Sequence, residues 1–250
     1  MSGHSKWSTI KRQKGANDAK RGALFTKVAR EISVAARQGG GDPDANYRLR
    51  LAIEKARSVN MPADNIKRTI EKATGGGDAE QYEEIAYEGY GPGGVAVLVE
   101  AATDNRNRTA AEVRSIFTKS GGQLAGSGAV AWQFEPRGYI SIRRDGVDAD
   151  EVALAAIDAG AEDVDTDEDE EIAVYTAPAD LERVRMALED AGIAVDSAES
   201  TMVAKNTVEL DSAKARQALR LVELLEDLDD VQRVTANFEI PEDVFAEVAG

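Results

Sequence analysis

Apolar residues near the start of the chain recur at three- and four-residue spacing. Leu24, Phe25, Val28, Ile32 and Ala35 share one face of a helix predicted over 23–38, as a repeat of 3.6 residues requires. Gly39-Gly40-Gly41 ends it, and Asp42-Pro43-Asp44 carries the signals of a second helix start: a capping side chain, a proline and negative charge near the positive dipole end. Leu49, Ala52, Ile53 and Ala56 form the second buried stripe. A third helix is predicted from Pro62, burying Ile66, Ile70 and Ala73 and stopping at Gly75-Gly76-Gly77.

After Gly77 the period changes to that of strands. Segments 82–88 and 95–101 read as a hairpin around Gly89-Tyr90-Gly91-Pro92-Gly93-Gly94. Thr103-Asp104-Asn105 caps a helix predicted over 106–119, and 130–134 reads as a further strand. Then follow a strand (139–143), a helix (149–159), strands (162–166 and 172–176), a helix (179–191) and a strand (193–197). That is the βαββαβ order of a ferredoxin-like sandwich. A strand (207–210), a helix (212–228) and a strand (231–238) complete a layer begun at Tyr82. The expected fold is α+β: a basic arm and three-helix domain over 1–77, a discontinuous middle α/β domain over 78–137 plus 200–240, and a ferredoxin-like domain over 138–199 inserted into it.

Charge changes this picture most. The first 74 positions hold 16 of the 30 Lys and Arg but only seven of the 46 acidic residues, about +9, and the remainder is about −25. The formal net charge of −16 hides that division. A polyanion can be held only at the basic end of such a field. The competing reading is a solvated helical surface. With 250 residues at 42% hydrophobic, the chain has material for a core divided among two or three domains. No cysteine is present, which removes disulfides, thiolate nucleophiles and Cys-based zinc sites. His4 is the only histidine, so one chain cannot assemble a His metal cluster or a Ser-His-Asp triad. Neither a secretory signal nor a run of about 18 apolar residues is visible, and a cytoplasmic, non-enzymatic protein without cofactor, metal or membrane contact is expected.

The motifs sort accordingly. The glycine run after 88 has the letters of a dinucleotide fingerprint, yet the β-branched segment 95–99 follows it where a helix N-terminus is needed. Asp163, Asp165 and Asp167 imitate a calcium loop, but Glu168 and Val174 occupy positions that need Gly and Glu. In the arm, Lys6, Lys11, Arg12, Lys14, Lys20 and Arg21 accompany Trp7, and Lys27 and Arg30 continue the charge into the first helix. These cations suit phosphates, and Trp7 either stacks on a base or anchors the arm to the helical domain. The second and third helices also fit a helix-turn-helix with Lys67, Arg68 and Lys72 on the reading helix, a pattern that helical bundles produce freely. Arg106 and Arg108 stand in a helix's first turn, where positive charge opposes the dipole, so they form a candidate second phosphate grip.

The blocks Gly3-His4-Ser5-Lys6-Trp7, Asp18-Ala19-Lys20-Arg21-Gly22, Ala35-Ala36-Arg37, Asn60-Met61-Pro62, Tyr87-Glu88-Gly89-Tyr90-Gly91-Pro92-Gly93-Gly94 and Thr103-Asp104-Asn105-Arg106-Asn107-Arg108-Thr109 resemble the signatures of the YebC/PmpR family. That family includes the mitochondrial translational activator of cytochrome c oxidase subunit I. The resemblance runs nearly end to end and implies three domains, a glycine motif that belongs to the fold, and a regulator of gene expression. The family is described both as DNA-binding transcriptional regulators and as ribosome-associated factors that help synthesis of proline-rich stretches. Ala23 stands where many members carry Lys, and Gly126-Ser127-Gly128-Ala129 varies the usual link. The C-terminal third is too variable to carry functional residues over. The expected partner is nucleic acid, either DNA or ribosomal RNA, with a protein partner on the acidic α/β surface. A scaffold whose basic end binds an acidic protein is the third reading.

Overall fold

The structure, a computed structural model, describes residues 18–75, 82–167 and 171–249, with side chains at 22–247 within those spans. Helices α1 (Asp18–Gly39), α2 (Tyr47–Ser58) and α3 (Ala63–Thr74) form the first unit. Val28, Ile32 and Ala35 of α1 meet Leu49, Ala52, Ile53 and Ala56 of α2 and Ile66 of α3 in one buried cluster. α1 starts five residues before the predicted position, and its early residue Leu24 stays exposed. The second helix starts later than Asp42-Pro43 suggested, because Asn46 is the better cap. Its carboxamide oxygen accepts from the Leu49 N–H at 3.1 Å. The amide donates to the carbonyls of Ala35 and Gly40, both at 2.8 Å, closing groups left open at the end of α1.

The middle sheet has the order β3-β1-β2-β8, built from β1 (Glu83–Tyr90), β2 (Ala96–Thr103), β3 (Gln123–Leu124) and β8 (Val231–Ala236). All its pairings are antiparallel. Val97, Val99 and Ala101 on one face pack against α4 (Arg106–Lys119) and α7 (Ser212–Glu226). Ala96 and Leu98 on the other face meet Val130 and Phe134, at the entrance to the second sheet. That sheet has the order β5-β6-β4-β7, from β4 (Phe134–Arg143), β5 (Asp163–Asp165), β6 (Glu171–Thr176) and β7 (Ser197–Ala204). With α5 (Ala149–Asp158) and α6 (Leu181–Asp190) on one face, it has the ferredoxin-like strand order.

Four local expectations change. Segments 130–134 and 139–143 are not two strands: a 3-10 turn at Ala131–Gln133 leads into the single β4. Pro136 sits inside β4 where only β7 pairs with it, because pairing with β6 begins at Gly138. The last inserted strand is β7, later than 193–197, and it pairs with β4 from Ser141↔Ser197 to Phe134↔Ala204. Segment 207–210 forms only an isolated bridge, Val208↔Phe238. A terminal helix α8 (Glu242–Ala249) was not foreseen, and its Val244 is buried in the middle core.

The helical unit touches both sheets' domains. Tyr47 and Leu51 pack against the core of the inserted domain. Arg185 reaches Glu54 at 3.4 Å and Arg50 reaches Glu182 at 3.6 Å. No helix among the described residues is long and apolar enough to cross a membrane.

Candidate nucleic-acid interface

Asp230, immediately before β8, is only 3% exposed, yet it gathers donors from three elements. Arg30 of α1 pairs with its Oδ1 at 2.5 Å. On Oδ2 converge the hydroxyls of Thr103 (3.0 Å) and Thr109 (2.5 Å) and the guanidinium of Arg108 (2.7 Å). Burial pushes this carboxyl up, and the hydrogen bonds from Thr109, Arg108 and Thr103 with the charge of Arg30 more than offset it, so its pKa lies below the usual range. Arg108 is held strongly protonated, first by its hydrogen bond to Asp230 and then by that to Asp104. Arg30 also donates to the Asp229 carbonyl and lies over the Tyr82 ring at 5.4 Å, and Lys27 donates to the Glu226 carbonyl.

Four cations expected to face phosphate therefore have protein partners: Lys27, Arg30 and Arg108 around the start of β8, and Arg106 with Glu83 at 3.2 Å on the surface. For Arg30 and Arg108 the reason is the cost of the buried Asp230 carboxylate, which must be paired and hydrogen-bonded. The start of α4 is likewise served from within. The Asn105 side chain accepts from the Arg108 N–H at 3.1 Å, and Thr103 accepts from the Asn105 N–H at 2.9 Å. Lys6, Trp7, Lys11, Arg12 and Lys14 lie outside the described residues, as do the side chains of Lys20 and Arg21.

A different set of charges is open. Arg37, Arg57, Arg68 and Lys72 make no side-chain hydrogen bond or ion pair among the described residues, and Lys67 has only a 3.8 Å surface pair with Glu71. Arg37 and Lys72 line a cavity of about 140 Å³ between α1 and α3 with Ser33, Thr69 and Tyr82. Arg57 and Lys67 border a groove of about 340 Å³ between α2 and α3. Arg68 and Lys72 are one helical turn apart on α3, so they project from the same side. The sequence itself places Lys67, Arg68 and Lys72 on the third helix. Their groupings with Arg37 and Arg57 are not legible there, because they depend on how α1 and α2 pack against α3.

The other tempting motifs are structural. The glycine run forms the β1–β2 turn, with Gly93 and Gly94 at φ 78° and 81°. A Cβ on Gly89 would lie 2.6 Å from the Phe117 ring. Beside it the buried Glu88 carboxylate accepts from the N–H groups of Gly128 (2.6 Å), Val130 and Ala131 (both 2.7 Å). Burial pushes this carboxyl up, but the three backbone donors outweigh it and hold it below the usual range. Among the described residues no acidic group has the arrangement of a metal site. The helix-free face of the inserted sheet carries Tyr139 and Tyr175, adjacent on β4 and β6 with ring centroids 5.5 Å apart. Aromatics on the central strands of such a sheet stack bases in some RNA-binding domains. Here both rings are buried and Tyr139 donates to the Glu171 carboxylate, so neither is presented to a base.

Comparison with known proteins agrees with the three-part architecture. The family model described as "TACO1/YebC protein N-terminal domain" matches residues 5–76, and "TACO1/YebC second and third domain" matches residues 82–238. A protein of Rubrobacter xylanophilus named "Probable transcriptional regulatory protein" is 58% identical over 251 residues, covering 100% of both chains. A protein of the same name from Trichlorobacter lovleyi is 58% identical, covering 97% of this chain and 98% of its own. The crystal structure of a conserved hypothetical protein from Aquifex aeolicus superposes with a TM-score of 0.85 at 50% identity, covering 90% of this chain and 93% of that one.

Proposed function

The chain belongs to the TACO1/YebC family, whose relatives are named as transcriptional regulators, and from that premise we propose that it is a cytoplasmic, non-catalytic regulator that holds a nucleic-acid backbone. The contacts come from the arm cations Lys6, Lys11, Arg12, Lys14, Lys20 and Arg21, with Trp7 beside them, and from Arg37, Arg57, Arg68 and Lys72 on the helical unit. The observation that carries this reading is the separation of charge. Among the described residues Arg37, Arg57, Arg68 and Lys72 lack carboxylate partners on α1–α3, where few acids stand, while the two α/β domains, which carry the likewise unpaired Arg114 and Lys119 on α4, are strongly acidic overall and repel a polyanion. Arg30 serves it indirectly by fixing the helical unit against the start of β8, and Arg108 by holding from within the middle domain the Asp230 carboxylate that Arg30 meets.

A second reading, ribosomal RNA as the target, is favoured by the distribution of the open cations. They lie across three helices and two grooves instead of along one recognition helix, which suits the irregular backbone of folded RNA better than a regular major groove. Competition between a duplex DNA and a ribosomal RNA fragment for the full chain separates the two. Preference for duplex supports the transcriptional role, preference for RNA the translational one, and failure of both to bind contradicts the proposal.

A further inference from the structure

Helix α5 carries apolar side chains on the side turned away from its sheet. Val152 and Ala156 face the core, whereas Leu154 and Ile157, opposite them on the helix, are 64% and 59% exposed. Antiparallel pairing of β4 with β6 and of β6 with β5 makes α5 and α6 run in opposite directions along the sheet. Arg183 near the start of α6 donates to the Ala159 carbonyl just past the end of α5, which fixes their register. Met186, 52% exposed, lies on the side of α6 turned away from the buried Leu181, Val184 and Leu188. Three of the five large hydrophobic side chains exposed among the described residues thus stand on the outward sides of these two neighbouring helices.

The rim of this face is acidic except for Arg183 between the two helices, whose charge is already met by Asp180 at 2.8 Å. Asp150, Glu151 and Asp158 lie three or four residues from Leu154, and Asp190 lies four from Met186, so all four neighbour the apolar centre. None of them forms an ion pair among the described residues, whereas Glu182, on the α2 side of α6, pairs with Arg50 and Arg185. Placing these acidic groups around an apolar centre disfavours a second copy of the same face, which would bring like charges together as water is excluded. We infer that the outward face of α5 with the adjoining flank of α6 docks a basic amphipathic helix of a partner protein. Its apolar side chains would cover Leu154, Ile157 and Met186, and its flanking Lys or Arg would meet Asp150, Glu151, Asp158 and Asp190. This surface belongs to the inserted domain, so the protein can engage such a partner while α1–α3 hold a polyanion.

The test uses the full chain and two synthetic helical peptides that share one leucine spacing, one with lysine and one with glutamate at the polar positions. Nuclear magnetic resonance shift mapping of the wild type is expected to place the Leu/Lys peptide on α5 and α6. Its affinity should fall at least ~10-fold, equivalent to about 1.4 kcal/mol, in Leu154→Gln/Ile157→Gln/Met186→Gln. A similar fall is expected in Asp150→Asn/Glu151→Gln/Asp158→Asn/Asp190→Asn. A variant that removes acids elsewhere, Asp163→Asn/Asp165→Asn/Asp167→Asn, should bind as the wild type does. Equal binding of the Leu/Glu peptide, absence of binding by either peptide, shifts elsewhere, or equal loss in the Asp163→Asn set would overturn the inference. A dimer of the wild type that dissociates in Leu154→Gln/Ile157→Gln/Met186→Gln would assign the face to a second copy and overturn it as well.

Discussion

At the scale of single residues, Asp230 decides how the charged side chains are used. It draws Arg30 from 200 positions away and Arg108 from 122 positions away, along with two threonine hydroxyls. Removing one partner from such a buried pair strands the other, so Asp230→Ala is expected to cost about 3–5 kcal/mol in urea unfolding. Double-mutant cycles of Asp230 with Arg30 and with Arg108 should each give a coupling of roughly 0.5–3 kcal/mol. Additive effects would mean that the contacts carry no stability. The carboxyls of Asp230 and Glu88 lie below their ordinary range in the folded state. A depressed folded value contributes stability that is present above the unfolded value of about 4 and is lost as pH falls through the lower, folded one. The urea midpoint should therefore hold from pH 7 to about 5 and fall steeply below about 4, with a shallower fall in Asp230→Asn.

At the scale of elements, the hairpin β1–β2 illustrates what close approach requires. A Cβ on Gly89 would meet Phe117 at 2.6 Å and the Gln123 carbonyl at 2.8 Å, and Phe117 is fully buried. Gly89→Ala is expected to lower stability by about 1–3 kcal/mol, as core overpacking does, read from the thermal midpoint; no change would show that α4 can shift away. The bounds of α4 were legible to the residue, because Asn105 caps it and its apolar positions keep one period. The glycine run was legible as a turn because a strand follows it. β7 was not, since Ser197-Ala198-Glu199-Ser200-Thr201 carries little apolar signal and is held by pairing with β4. The join of 130–134 to β4 was hidden by Pro136, which reads as a break until only β7 is found beside it. Asp230 as a hub was illegible for another reason: no local spacing links it to Arg30. A surplus of cations near the start of the chain can be counted in the sequence, but which of them keep their charge for a ligand depends on carboxylates brought close only by folding.

At the scale of the whole molecule, the account rests on a basic helical unit joined to acidic α/β domains by the buried Arg30–Asp230 pair and by partly exposed pairs such as Arg48–Glu84 and Arg50–Glu182. Charge reversal at Lys11, Arg12 and Lys14 is expected to abolish nucleic-acid binding with almost no change in the thermal midpoint, because that stretch of sequence has little apolar content to bury. Loss of folding instead would make those residues structural. The most direct test is the salt dependence of affinity, measured on duplex DNA and on ribosomal RNA for the wild type and for Arg37→Ala/Arg68→Ala/Lys72→Ala. The expected result is a steep inverse slope on at least one nucleic acid. In the variant that slope should fall by roughly 2–3, since each lost phosphate contact contributes about 0.7 on single strands to 0.9 on duplex. Flat slopes on both nucleic acids, or a slope the triple variant leaves unchanged, would contradict the claim that these open cations meet phosphate.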